Sequence, residues 1–250
     1  MSTFIIKIIA LLTMIIDHSG HVVQRVYGWD AGLILRYIGR IAFPLYAFLL
    51  GQGCKNTKNI NKYLGRLLLF AFISEIPYDL FRFNIGLPRG MRLSFMDFSS
   101  QNVFFTLFLG GLTIAVYMHA KKAHEKHLAA IMGILAMLSA AVAAEILATD
   151  YSWSGVMLIA APVIASEGMP GEKAKKYLYI IFFVACLCAI YFNAGLVMLA
   201  FAMISVIFIL LYNGERGRSM KWFFYIMYPA HMLALFAIWF FFLRAGEIML

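Results

Sequence analysis

Charged side chains are scarce in this chain. Asp, Glu, Lys and Arg make up 13% of its 250 residues, about half the share of an ordinary soluble domain. Acidic residues are the rarer sign, 12 against 21 basic, leaving a formal charge of +9. Cysteine is rarer still: Cys54, Cys186 and Cys188 make neither a disulfide framework nor a zinc-ligand spacing. No P-loop, dinucleotide fingerprint, Gly-x-Ser-x-Gly elbow or His-Glu-x-x-His appears. No loop is long enough for a soluble domain of ordinary size.

What is abundant is apolar: 63% of the residues are hydrophobic and the mean hydropathy is +0.84. Runs of about 20 apolar residues read as membrane helices. About nine are expected, over residues 4–23, 33–53, 63–81, 102–119, 128–148, 154–166, 177–192, 194–212 and 222–243. The fold class is therefore an all-α transmembrane bundle, with the chain 1–250 forming one integral-membrane unit. The first segment carries Asp17 and His18 and no small-residue cleavage site follows, so it reads as a retained helix rather than a signal peptide.

The basic residues lie in short loops, which speaks for membrane topology and against nucleic acid. Lys55, Lys58 and Lys62 follow the second helix, and Lys121, Lys122 and Lys126 the fourth. Lys173, Lys175 and Lys176 follow the sixth, and Arg216, Arg218 and Lys221 the eighth. Even-numbered loops thus face the cytoplasm, with the N-terminus inside and the C-terminus outside. One loop dissents. Residues 82–101 hold Arg82, Arg89 and Arg92, with Gly86, Pro88 and Gly90, and are expected to fold back over an outward-facing site.

Charge inside an apolar segment costs a few kcal/mol on insertion scales, so each such residue needs a reason. Asp17-His18 is the first: an acid beside a base that can transfer a proton, orient a nucleophile or bind a cation. His21, Arg36, Arg40, Glu75, Asp79, Asn102, Glu145 and Asp150 follow at helical spacings. With the topology above, all fall at outer helix ends, the single depth that a shared site requires. The arginines also fit ion pairs with Glu75 or Asp79 that only hold the bundle. His231, in Tyr228-Pro-Ala-His231, equally fits a core histidine. Pro44, Pro77, Pro162 and Pro229 stand within helices, and local unwinding is expected beside the polar residues at Pro77 and Pro229. No metal site is expected, and a homo-oligomer is left open.

Several stretches resemble the TraX family. They are Lys7-Ile-Ile-Ala-Leu-Leu-Thr-Met-Ile-Ile-Asp17-His18, Leu35-Arg-Tyr-Ile-Gly-Arg-Ile-Ala-Phe-Pro-Leu-Tyr-Ala-Phe48 and Arg66-Leu-Leu-Leu-Phe-Ala-Phe-Ile-Ser-Glu-Ile-Pro-Tyr-Asp79. With them go Asn102-Val-Phe-Phe-Thr106, Asp150-Tyr-Ser-Trp-Ser-Gly-Val156, Leu211-Tyr-Asn-Gly214 and Lys221-Trp-Phe-Phe-Tyr-Ile-Met-Tyr-Pro-Ala-His231. The family takes its name from a protein that N-acetylates pilin, and it resembles the membrane acyltransferases that use cytoplasmic acyl-CoA. The resemblance implies acetyl or acyl transfer from acetyl-CoA to a small-molecule or peptide amine or hydroxyl. His18 would be the general base and Asp17 its orienting group. Arg36, Arg40, Arg66 and Lys221 would hold the donor. Glu75, Asp79, Asn102, Glu145, Tyr228 and His231 would face the acceptor. Read without the resemblance, the same polar set also suits a proton-coupled transporter.

Overall fold

The computed structural model describes residues 1–88, 91–192 and 194–243. Arg89 and Gly90 of the dissenting loop, and Asn193 between the seventh and eighth expected helices, lie outside the described residues. Helix α1 (Thr3–Tyr27) starts at an N-cap, Ser2, and a one-turn 3₁₀ segment (Trp29–Gly32) carries the chain into α2 (Leu33–Gly39) and α3 (Ala42–Asn56). Then come α4 (Ile60–Asn84), α5 (Val103–Ala123), α6 (Lys126–Ile146), α7 (Ser152–Glu167), α8 (Glu172–Tyr191), α9 (Leu196–Leu210) and α10 (Lys221–Ile238). A π turn, Trp239–Leu243, extends α10. Among the described residues there is no strand, only an isolated bridge between Gln101 and Thr149.

Taking α2 and α3 together, the described residues form nine helical segments, in the positions that hydropathy gives. Six segments are long and apolar enough to span a bilayer, and the chain is a multi-pass membrane protein. Helices α7 and α9 have 16 and 15 residues, about 24 and 22 Å at 1.5 Å per residue, short of the ~30 Å hydrocarbon core.

The second crossing is the one that breaks. Arg40 and Ile41 interrupt it. Pro44 has no N–H to offer the Arg40 carbonyl, and its ring crowds that carbonyl; α3 restarts with Pro44 in its first turn, where that N–H is dispensable. Elsewhere prolines do not unwind their helices. Helices α4, α7 and α10 run unbroken through Pro77, Pro162 and Pro229, because neighbouring packing holds the backbone, so the unwinding expected at Pro77 and Pro229 does not occur.

Alternating crossings collect the Lys-rich links at one end of the bundle, called here the basic end. The chain start is stitched there: Thr3 N–H donates to Glu215 O at 2.8 Å and Asn213 N–H to Met1 O at 3.0 Å. Glu167 joins Lys55 at 2.7 Å and Lys121 at 3.0 Å, tying α3, α5 and α7. At the opposite end, Gln101 N–H donates to Ala148 O and Asp150 N–H to Gln101 O, clasping the α4–α5 and α6–α7 links together.

Candidate functional site

Asp17 leaves α1 pointing at the break in the second crossing. Its two carboxylate oxygens accept from Arg36 and Arg40, one each. The approach needs Gly39: a Cβ there would lie 2.0 Å from Asp17 Oδ1. Arg40 Nε also donates to the Arg36 carbonyl at 3.1 Å, so the loosened helix end is itself part of the cluster. The arginines therefore pair with Asp17, and not with Glu75 or Asp79. One carboxylate against two guanidinium groups leaves the cluster with net positive charge and unused N–H donors.

His18, one residue on, faces a different helix. Its Nδ1 lies 2.5 Å from Nε2 of His231 on α10. The rings are parallel within 2° with centroids 4.8 Å apart; since the nitrogens are so much closer than the centroids, the rings meet edge to edge. His231 Nδ1 sits 2.7 Å from the Met227 carbonyl. A carbonyl only accepts, so Nδ1 of His231 carries the proton and its Nε2 accepts from His18 Nδ1. Nε2 of His18 is then left with a free lone pair. The group that orients His18 is thus His231. Asp17, expected in that role, is engaged by the arginines.

Both halves of this arrangement open into one cavity of about 790 Å³. At the basic end it is bordered by Lys7, Lys58, Arg66, Arg216 and Lys221; its middle is apolar, with Met14, Leu50, Leu67, Phe104 and Leu107. At the far end it meets Asp17, His18, His21, Arg36, Arg40, Arg82 and Asp150. It runs most of the height of the bundle. Arg66 and Lys221 stand at its basic mouth and Tyr228 on its wall. Lys62, also basic and nearby in sequence, does not line it.

The sequence profile of the TraX protein family matches residues 2–239, nearly the whole chain. The chain belongs to the TraX family. It is 26% identical over 246 residues to a protein of Dichelobacter nodosus described as "Probable fimbrial assembly protein FimC, serogroup H1", covering 94% of each chain. No solved structure matches. The stretches that carry the TraX resemblance converge on the cavity: Asp17-His18 from α1, Arg36 and Arg40 from α2, Arg66 from α4, Asp150-Tyr151 from the α6–α7 link and Lys221 to Tyr228 from α10.

Of the six acceptor residues expected in this TraX chain, Tyr228 alone borders the cavity; His231 stands behind His18, and the other four lie elsewhere. Asn102 caps α5 by accepting from Phe104 N–H at 3.0 Å, and its amide donates to Glu75 and to the Ala71 carbonyl. Asp79 accepts from Asp97 N–H at 2.8 Å. Glu145 is exposed and accepts from Ser152. Glu75, Asp79, Asn102 and Glu145 are not among the residues that border the cavity; they pin links and helices together. The dissenting loop does fold back: Asn84 bonds both the N–H and the carbonyl of Ser94, and Tyr78 OH reaches Ser100 Oγ at 2.8 Å. Arg82 and Ser100 thereby border the cavity.

Besides Asp17, Asp150 is an acid that borders the cavity. Ala148, Tyr151 and Ser152 around it have φ of 49°, 63° and 45°, left-handed values uncommon away from glycine and typical of functional turns. Thr106 clamps the turn through the Asp150 carbonyl, and Tyr151 stacks on Phe43 at 3.6 Å. Burial pushes the Asp150 carboxyl up, while Arg82, Arg40 and Arg36 draw it back. Lys7 was also missed, although Thr3, Lys7, Met14, Asp17 and His21 follow one helical stripe that the spacing alone discloses.

Proposed function

We propose that this chain is a transmembrane acyltransferase, moving an acetyl or other acyl group from cytoplasmic acyl-CoA to an amine or hydroxyl at the outer face of the cytoplasmic membrane. The observation that carries the reading is the single cavity that joins a cationic mouth to His18, Arg36 and Arg40. Its volume falls in the range of about 300–1,000 Å³ usual for ligand sites. By the positive-inside rule the basic end faces the cytoplasm, where an anionic coenzyme is met by Lys7, Lys58, Arg66, Arg216 and Lys221. The apolar middle suits a thin, mostly uncharged arm reaching toward the far end. The length of the cavity supports such a reach, from the basic mouth to Arg36 and Arg40 at the far end.

The donor supplies the activated acyl thioester. His18 Nε2 takes the proton from the acceptor N–H or O–H as the acceptor attacks the carbonyl carbon, and later returns it to the departing thiolate. General-base action of this kind contributes about 10²–10⁴ in rate. His231 holds the imidazole in the tautomer that leaves Nε2 free. The spare N–H groups of Arg36 and Arg40 oppose the charge that develops on the carbonyl oxygen. Asp150 and Tyr78, near the outer end, are placed to meet the acceptor. The relative's description as a fimbrial assembly protein favours a peptide acceptor from a surface fibre.

The test is purified protein in liposomes with radiolabelled acetyl-CoA and a panel of amines and peptides. Labelled acceptor is expected with the wild type and none with His18→Ala at unchanged elution volume. A hydrogen-bonded histidine pair also suits a proton relay, so proton-linked solute flux with no acylated product would favour a transporter instead.

A further inference from the structure

A second cavity, of about 660 Å³, shares no lining residue with the first. It is a trough whose floor is α7 and whose walls are α6 and α8, both packed against α7. The cause is local. Helix α7 has 16 residues where α6 has 21 and α8 has 20, and beyond Met157 its trough face narrows to Ala161, Ala165 and the C-cap Gly168 at helical spacing, with Ile164 beside them. On the walls, Ala130, Ala185 and Ala189 widen the gap. The rims carry lipid-facing apolar residues, Ile134 at 45% and Phe182 at 40% exposure, so the trough opens to the bilayer rather than to water.

Its basic end is charged. Lys126 borders the trough with His127, and its Cε lies 3.3 Å from where a Gly168 Cβ would stand, so the side chain reaches over the floor. Among the described residues no carboxylate lies within ion-pair distance of Lys126, whereas neighbouring Lys121 is neutralised by Glu167 at 3.0 Å. An apolar slot ending in an uncompensated cation at the membrane surface complements one class of molecule, a chain with an anionic head. Trp153 borders the other end.

We propose that the trough is a site for an anionic glycerophospholipid of the leaflet at the basic end, one acyl chain lying along Ala161, Ala165 and Gly168 and the phosphate resting on Lys126. The site does not depend on the acyltransferase reading. The experiment is native mass spectrometry of the full chain in detergent, offered equal phosphatidylglycerol and phosphatidylcholine. One retained phosphatidylglycerol is expected, preferred about fivefold, the size of effect one near-surface cation gives. Lys126→Glu should bring the two lipids to parity, and Ala185→Trp, at an exposed position, should fill the slot and abolish retention of both. Both variants are checked for an unchanged monodisperse profile; if the tryptophan variant fails it, Lys126→Glu decides alone. Equal retention of both lipids by the wild type, retention unaltered by Lys126→Glu, or a protein dimer that excludes lipid would each overturn the proposal.

Discussion

At the Asp17 carboxylate, itself buried, two guanidinium groups share one counter-ion. Replacing it with Asn leaves Arg36 and Arg40 facing each other without compensation. Breaking a buried ion pair in this way costs about 3–5 kcal/mol, so Asp17→Asn should lower the unfolding midpoint measured by a thermal shift in detergent by many degrees. A midpoint unchanged from wild type would remove the pair from the structural core. His231 has the opposite profile. His231→Leu keeps an apolar volume on α10 but leaves His18 Nδ1 without its acceptor, and the tautomer is no longer chosen. Acyl transfer should fall about 10²-fold, the lower end of what a base contributes, with little change in the unfolding midpoint. The residues of this centre were legible in the sequence because charge in an apolar segment is anomalous wherever it stands. Their pairing was not, since Asp17 and His18 are neighbours in the chain yet leave the helix toward different partners, α2 and α10.

Among the elements, the break between α2 and α3 and the turn at Asp150 shape the site most. Gly39→Ala would set a methyl 2.0 Å from Asp17 Oδ1, pushing α2 away from α1. Loss of both folded yield and transfer is expected, and a well-folded, fully active Gly39→Ala protein would contradict the account of the break. The folded-back loop rests on Asn84, a fully buried side chain that bonds the carbonyls of Asp79, Leu80 and Ser94 and the Ser94 N–H. Asn84→Ala should speed hydrogen exchange across residues 91–100 while α5 and α7 keep wild-type protection. The nine helical segments themselves were plain from hydropathy, because each is a self-contained apolar run whose backbone bonds close within it. The break, the clasp of Gln101 on Asp150 and the left-handed residues 148, 151 and 152 arise from contacts between segments far apart in the chain. That Glu75, Asp79 and Glu145 stand away from the cavity has the same origin: depth in the membrane can be read from one segment, but facing the cavity depends on how helices pack.

Over the whole molecule, transfer across the bilayer requires that the cavity's basic end face the cytoplasm. A cysteine at Ser99, on the exposed part of the folded loop, should react from outside intact cells with a membrane-impermeant maleimide, whereas one at Lys122 should react only after lysis. Each is placed in a background lacking Cys54, Cys186 and Cys188. Reversed labelling would put the His18 end in the cytoplasm and dissolve the case for transfer across the bilayer. The central claim is transfer itself, through one passage from the basic end to His18. It is tested most directly in sealed proteoliposomes sorted by orientation, with acetyl-CoA labelled in the acetyl group supplied only on the basic side and an impermeant peptide amine only on the other. Acetylated peptide should accumulate with the wild type and stay at background with His18→Ala. Product formed equally by His18→Ala, or no product from wild type at any orientation, would contradict it.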